Sequence, residues 1–488
     1  MLMQQRSVKT NFTLNLINTF VGLLYPVITF PYISRILMPD GLGLIQFLQS
    51  VISYFAMFAA LGIPLYAIKE VAKVRDDSML RSKMVSEIFC LHAFLTIVVY
   101  SVLLLTGFMV NQLSMHIGLY LILSCHLFLN VLGCEWFYQG IEDFKYITIR
   151  SLIVKLFSLI ALFVFVRSQA DIYIYAILLI LAEAGNYLFN FIHLRKYVHL
   201  FSSKMKELDI RRHIKPALEI FMLNVIVSIY INLDSVMLGF MKDNTCVGYY
   251  TAATQIVRAL CGFSVALGAV VLPRLANYFH EREMILFRNL TKDALSFSMV
   301  VLIPLCAMLM ITAPVLVLVF CGSAYGPTIL TIRILSPIMI FLGISGIMGT
   351  KVLYAMDCQR IVIICTALGA VSNFILNLVL IPQYSHYGAA FASLVAEFLV
   401  SASMLYYGYK LIRVSVFDRN LLEIVVGTFV VIVIVLIFNM HFQLMPLSML
   451  VLDLLIGSVC YLLAMTTMKN EYIRRAYVFV VHQVKLIR

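Results

Sequence analysis

Apolar runs of about membrane length recur along the whole chain, and that recurrence leaves few architectures open. Fourteen can be drawn between charged or Pro/Gly-containing breaks. They cover 10–32, 42–66, 84–108, 117–138, 147–166, 172–194, 217–241, 245–272, 294–320, 329–353, 361–381, 388–412, 421–439 and 447–468. A helix crossing about 30 Å of hydrocarbon needs roughly 17–25 residues, and the runs meet or approach that length. They lack the alternation of outer-membrane strands. The chain is 62% apolar and 12% charged, against about 45–50% and about 25% in soluble domains. The predicted fold class is an all-α integral membrane protein with fourteen transmembrane helices. The run at 294–320 fits least well, because Pro304 and Pro314 are expected to kink it.

Basic residues set the expected orientation. The net charge of +12 would suggest nucleic acid as a partner for a soluble chain. Here it reads as basic cytoplasmic loops, with no nucleic acid involved. Odd-numbered loops hold three basic residues, Arg35, Arg167 and Lys242, whereas even-numbered loops, both tails and the adjoining span ends (Arg150, Lys351 and Lys410) hold 30. The bias predicts cytoplasmic termini and a cytoplasmic 195–216 loop. The first run carries Asn11, Asn15, Asn18, Pro26 and Pro31 with no small-residue cleavage site after it, so it reads as a permanent helix rather than a signal peptide. Ten scattered cysteines without a C-x-x-C pair read as packing residues, and no metal or cofactor is expected.

A weak internal repeat joins the halves. Gly43 precedes Lys69 by 26 residues, and Gly248 precedes Arg274 by the same 26. Each glycine opens the second helix of a six-helix half. Six is even, so the repeat would be parallel, about an axis along the membrane normal.

Four stretches carry a resemblance to a known family. They are "NLDSVMLG…VGYYTAATQI" at 232–256, "RILMPDGLGLIQFLQS" at 35–50, "GCEWFYQGIEDFKYITIR" at 133–150 and "SNFILNLVLIPQYSHYGAAFASLVAE" at 372–397. Together they resemble the bacterial Wzx-type polysaccharide and O-antigen flippases, within the superfamily of multidrug and oligosaccharidyl-lipid exporters. The resemblance implies two six-helix lobes around a central cavity, at 1–200 and 201–413, with two further helices and a tail at 414–488. It implies flipping of an undecaprenyl-diphosphate-linked glycan between the leaflets of the bacterial cytoplasmic membrane, for O-antigen, capsule or exopolysaccharide assembly. A polymerase of the same pathway and a coupling ion, H+ or Na+, follow as partners.

Such cargo needs a wet cavity for sugar and cations for the diphosphate. Polar residues inside the runs include Asn15, Gln46, Asn186, Asn190, Asn232, Gln255, Asn373 and Asn377. For any one of them an interhelical hydrogen bond, worth about 0.6 kcal/mol, is the simpler account. As a set they point to a polar cavity. Intramembrane charges are functional candidates by default. Lys155 and Glu183 lie at matching depth on consecutive helices, predicting a structural ion pair. Asp234 and Arg333 lie roughly 10 Å and 6 Å from the outer face, as an outer gate or a static pair would. Glu397 and Arg258 lie nearer the midplane. Arg258 either grips the diphosphate through two parallel hydrogen bonds or is neutralised by Glu397. Gly343, Gly346 and Gly349 suggest a close helix–helix seam in the tenth span.

Two other functions compete. A multidrug or lipid II exporter of the same superfamily would share the architecture, though multidrug exporters typically lack the last two helices. A membrane polymerase or ligase would need a large external loop with reactive groups, and neither is present in the sequence.

Overall fold

The computed structural model describes residues 8–200, 208–414, 419–442 and 444–474. Every regular element among them is helical. The chain divides into two compact units, Met1–Gly248 and Tyr249–Arg488. This division falls one expected span after residue 200, at the start of the eighth. Ten helical stretches, among the described residues, are long and apolar enough to cross a membrane.

The first unit contains α1 (Val8–Ala60), α2 (Ile63–Lys73), α3 (Ser78–Met109), α4 (Asn111–Ser114), α5 (Ile117–Gly133) and α6 (Glu135–Gly140). It continues through α7 (Phe144–Phe165), α8 (Ile172–Leu194), α9 (Arg211–Met241) and the start of α10 (Asn244–His280). The first two expected spans appear as one element, α1, broken at Met38 with φ 58° and ψ 175°. Pro39 accounts for the break, since the residue before proline is driven out of the helical region. Around this element α3, α5, α7 and α9 pack. A buried cluster with Tyr66, Val85, Ile88, Phe137, Tyr138 and Leu194 gathers the ends of α2, α3, α6 and α8.

The glycines of the sequence repeat meet in this unit. A β-carbon on Gly43 would fall 1.7 Å from the Asn244 carbonyl oxygen and 2.6 Å from the Gly248 nitrogen. One on Gly248 would fall 2.0 Å from the Pro39 carbonyl oxygen. Backbone lies directly against backbone, which only glycine permits.

The second unit holds most of α10, then α11 (Met284–Phe320), α12 (Thr328–Leu335), α13 (Ile338–Ile347), α14 (Gln359–Ile412), α15 (Arg419–His441) and α16 (Pro446–Thr467). A π-helical turn, Met348–Leu353, extends α13. α11 is the hub, packing against α12, α13, α15 and α16. The eleventh and twelfth expected spans form the single element α14, broken at Ser385 with φ 53° and ψ −136°.

Two local expectations meet particular packing here. α11 runs unbroken through Pro304 and Pro314. A proline frees the carbonyl four residues earlier, and neighbouring helices satisfy both. The Tyr461 hydroxyl of α16 donates to the Val300 carbonyl at 2.9 Å. Arg333 Nε of α12 donates to the Met310 carbonyl at 3.2 Å. The glycine seam also splits between partners. Gly343 faces Leu302 and Ser298 of α11, whereas Gly349 faces Met404 of α14. Six residues turn a helix through about 240°, so the two glycines cannot share a face.

One turn geometry recurs between helices. At Glu142, with φ 60°, the next amide, Asp143 N, bonds to the Tyr138 carbonyl. At Asp357, with φ 57°, Cys358 N bonds to the Leu353 carbonyl. Both are six-to-one closures that use a left-handed residue to start the next helix at once. The same closure follows Arg282, where Glu283 N bonds to the Tyr278 carbonyl, and Lys469, where Asn470 N bonds to the Met465 carbonyl, so it is a common helix ending in this chain.

Candidate functional site

In the first unit, polar groups converge on α1 from α7 and α8. The Tyr25 hydroxyl lies 3.2 Å from Ser158 Oγ, which donates to the Leu178 carbonyl at 3.1 Å. The Lys155 ammonium lies 3.5 Å from where a β-carbon on Gly22 would stand, so glycine there leaves it room. Glu183 is exposed. The expected Lys155–Glu183 ion pair is not formed in this structure; neither residue occurs among the ion pairs of the described residues. Lys155 turns toward α1. Matching depth brings two groups to one level but not to one face of their helices.

The remaining first-unit candidates separate by surroundings. Gln46 is half-buried, and its Nε2 donates to Ser50 Oγ at 3.1 Å one turn along α1. Asp234 is buried in α9. Asn232, two residues earlier and so on another face of α9, is half-buried. The side chain of Asn15 lies outside the described ones.

In the second unit, Arg258 is exposed, and both it and Glu397 act on the Cys261 thiol. α10 and α14 therefore bring the two charged groups to one locality. Gln255 is half-buried three residues before Arg258. Arg333 is also exposed, but its Nε serves the Pro314-freed carbonyl of Met310. Sequence depth shows the charge and not that structural task.

Several amides of the expected polar set make local hydrogen bonds, the simpler account for each of them singly. Asn373 and Asn377 are fully buried. Asn377 Nδ2 donates to Asn373 Oδ1 at 3.1 Å, and Asn373 Nδ2 donates to Ser393 Oγ at 3.3 Å. Tyr250 adds its hydroxyl 3.2 Å from the same serine. Asn186 accepts from Arg150 Nε at 3.1 Å, and Asn190 donates to the Gly133 carbonyl. Buried amides are expensive unless bonded, and these find partners within α14 and among α5, α7 and α8.

A further site was not anticipated. The Glu87 carboxylate is fully buried near the start of α3. It accepts from the Arg212 guanidinium, from the Asp209 amide at 2.9 Å, and pairs with His213 Nε2 at 2.9 Å. The Tyr66 hydroxyl of α2 lies 2.7 Å from His213 Nδ1. The cluster fastens the approach to α9 against α2 and α3. Glu87 lies only four residues into the third apolar run, so depth reads it as interfacial and gives no signal of the cluster.

A family model described as "Polysaccharide biosynthesis protein" matches residues 8–279. An Escherichia coli (strain K12) protein named "Putative O-antigen transporter" is 26% identical over 400 residues, or 78% of this chain and 92% of its own length. A protein of the same name from Shigella dysenteriae is 22% identical over 390 residues, covering 78% and 95%. Among solved structures, the lipid II flippase MurJ in an inward closed conformation matches with TM-score 0.76 at 15% identity, over 94% of this chain and 99% of that one. An inward-facing MATE multidrug transporter of the MOP superfamily matches with TM-score 0.62 at 14% identity, over 83% and 98%. These two structural likenesses concern the fold alone.

Proposed function

The chain belongs to the polysaccharide biosynthesis protein family, and on that footing we propose that it flips an undecaprenyl-diphosphate-linked oligosaccharide repeat across the bacterial cytoplasmic membrane by alternating access. The observation that carries this reading is the likeness to O-antigen transporter relatives along nearly their whole length. Polar and charged side chains on apolar helices of both units support it, because a hydrated glycan needs such groups within the membrane. In this scheme the lobes are 1–200 and 201–413, with 414–488 beside them. A proton or sodium gradient drives the cycle, and a polymerase of the same pathway takes the product.

Arg258 is the proposed diphosphate contact. Its fork can bind a diphosphate bidentately, whereas lysine offers a point charge. A strain lacking the gene should lose surface polysaccharide. Re-expressed Arg258→Lys should restore part of it and Arg258→Ala almost none, measured per unit of inserted protein. Normal polysaccharide in the deletion strain, or lysis from failed cell-wall synthesis, would overturn the glycan assignment. Full rescue by Arg258→Ala would remove only the contact.

The fourteen-span topology carries its own test. Single cysteines introduced near Asp209 should resist a membrane-impermeant thiol reagent in intact cells, and one at Asp243 should react. Strong external labelling near Asp209 would reverse the orientation.

A further inference from the structure

A groove of about 490 Å³ lies between the start of α7 and the end of α8. Its polar floor is unusual for a membrane helix. Arg150 lines it while only 7% exposed. The Arg150 cation stands 5.2 Å from the Tyr146 ring centroid, Nε donates to Asn186, and Nη2 lies 3.7 Å from Glu135. Nη1 is buried with no hydrogen-bond partner. His193 stacks on the same Tyr146 ring at 4.1 Å, and its Nδ1 is also buried without a partner. Unmet buried groups of this kind each cost about 1–3 kcal/mol, more when charged. Lys145 lines the groove and is exposed. Asp143 also lines it, with Oδ1 accepting from the Tyr146 amide at 3.4 Å.

The walls have the opposite character. Ile149, Ile153 and Phe189 are 45%, 62% and 57% exposed. The stripe continues along α7 through Leu156 and Ile160, also exposed, at helical spacing. An uncovered apolar face on a membrane helix meets lipid, so the groove opens to the bilayer. Cations at a helix end above such a face match an anionic headgroup with its chain attached.

We propose that this groove binds an anionic phospholipid. The headgroup phosphate accepts from Arg150, His193 and Lys145, and one acyl chain follows Ile149, Ile153 and Leu156. This assignment stands apart from the transported cargo, because a groove of this size suits a small headgroup and not a sugar chain of several units.

The test uses the full-length protein in detergent, titrated with phosphatidylglycerol, phosphatidylcholine or inorganic phosphate, with thermal unfolding as the readout. Phosphatidylglycerol should raise the transition temperature of the wild type well above either alternative. Lys145→Glu and Arg150→Gln should each weaken that response on the order of tenfold, as loss of one charge-assisted hydrogen bond implies. Lys145 is exposed, so its variant keeps the test informative if Arg150→Gln folds poorly. Equal shifts with phosphatidylcholine would overturn the anionic headgroup. Equal shifts with inorganic phosphate would replace the lipid by a free anion. An unchanged response in Lys145→Glu would remove the site from this groove.

Discussion

Alanine at Gly43 is expected to leave little folded protein. Its β-carbon would fall 1.7 Å from the Asn244 carbonyl oxygen, and the obstructing atom is backbone. A flexible side chain could rotate away, but here two helices must separate. Overpacking of ordinary cores costs about 1–3 kcal/mol, and a backbone-on-backbone clash belongs at or above the top of that range. Against a total stability of about 5–15 kcal/mol, the loss is large. Gly248→Ala should behave alike, because its β-carbon would fall 2.0 Å from the Pro39 carbonyl oxygen. Gly326→Ala is the control, with nothing within 4 Å of its β-carbon. Gel filtration and thermal unfolding in detergent would read all three. Wild-type behaviour in Gly43→Ala and Gly248→Ala would mean that the close approach is absent in the membrane.

Glu87→Ala is expected to destabilise the first unit by about 3–5 kcal/mol, the usual penalty for stranding the partners of a buried ion pair. It removes the acceptor shared by Arg212, His213 and the Asp209 amide, and the cluster's link to Tyr66 runs through His213. Glu87→Gln keeps an oxygen acceptor without the charge, so its loss should be smaller. The sharper readout is local. Protease cutting near Asp209 should speed up in Glu87→Ala, because the approach to α9 loses its anchor. An unchanged cutting rate alongside an unchanged melting temperature would mean the cluster carries no strain-bearing contact.

Sequence reasoning reached some parts of the site and missed others for identifiable reasons. Depth places Arg258 and Glu397 toward the midplane, on α10 and α14. Lys155 and Glu183 were matched by the same rule, yet Lys155 faces Gly22 of α1. Depth follows from rise per residue, whereas the direction of a side chain depends on how its helix is rotated against its neighbours. Asn373 and Asn377 read as cavity polar groups because Ser393 and Tyr250, which satisfy or adjoin their network, are distant along the chain.

Length and hydropathy along the chain determined the class by themselves. Apolar runs of membrane length must hydrogen-bond internally, so they become helices whatever their neighbours do. The break at Met38 was equally local, since Pro39 acts on the residue before it. Only the tertiary structure decided that α11 stays whole, because Tyr461 and Arg333 come from other helices to the carbonyls that Pro304 and Pro314 release. It also decided that Gly43 and Gly248 touch and that Glu87 anchors the approach to α9. A proline, glycine or carboxylate states a local need in the sequence; the atom that meets it is chosen by packing.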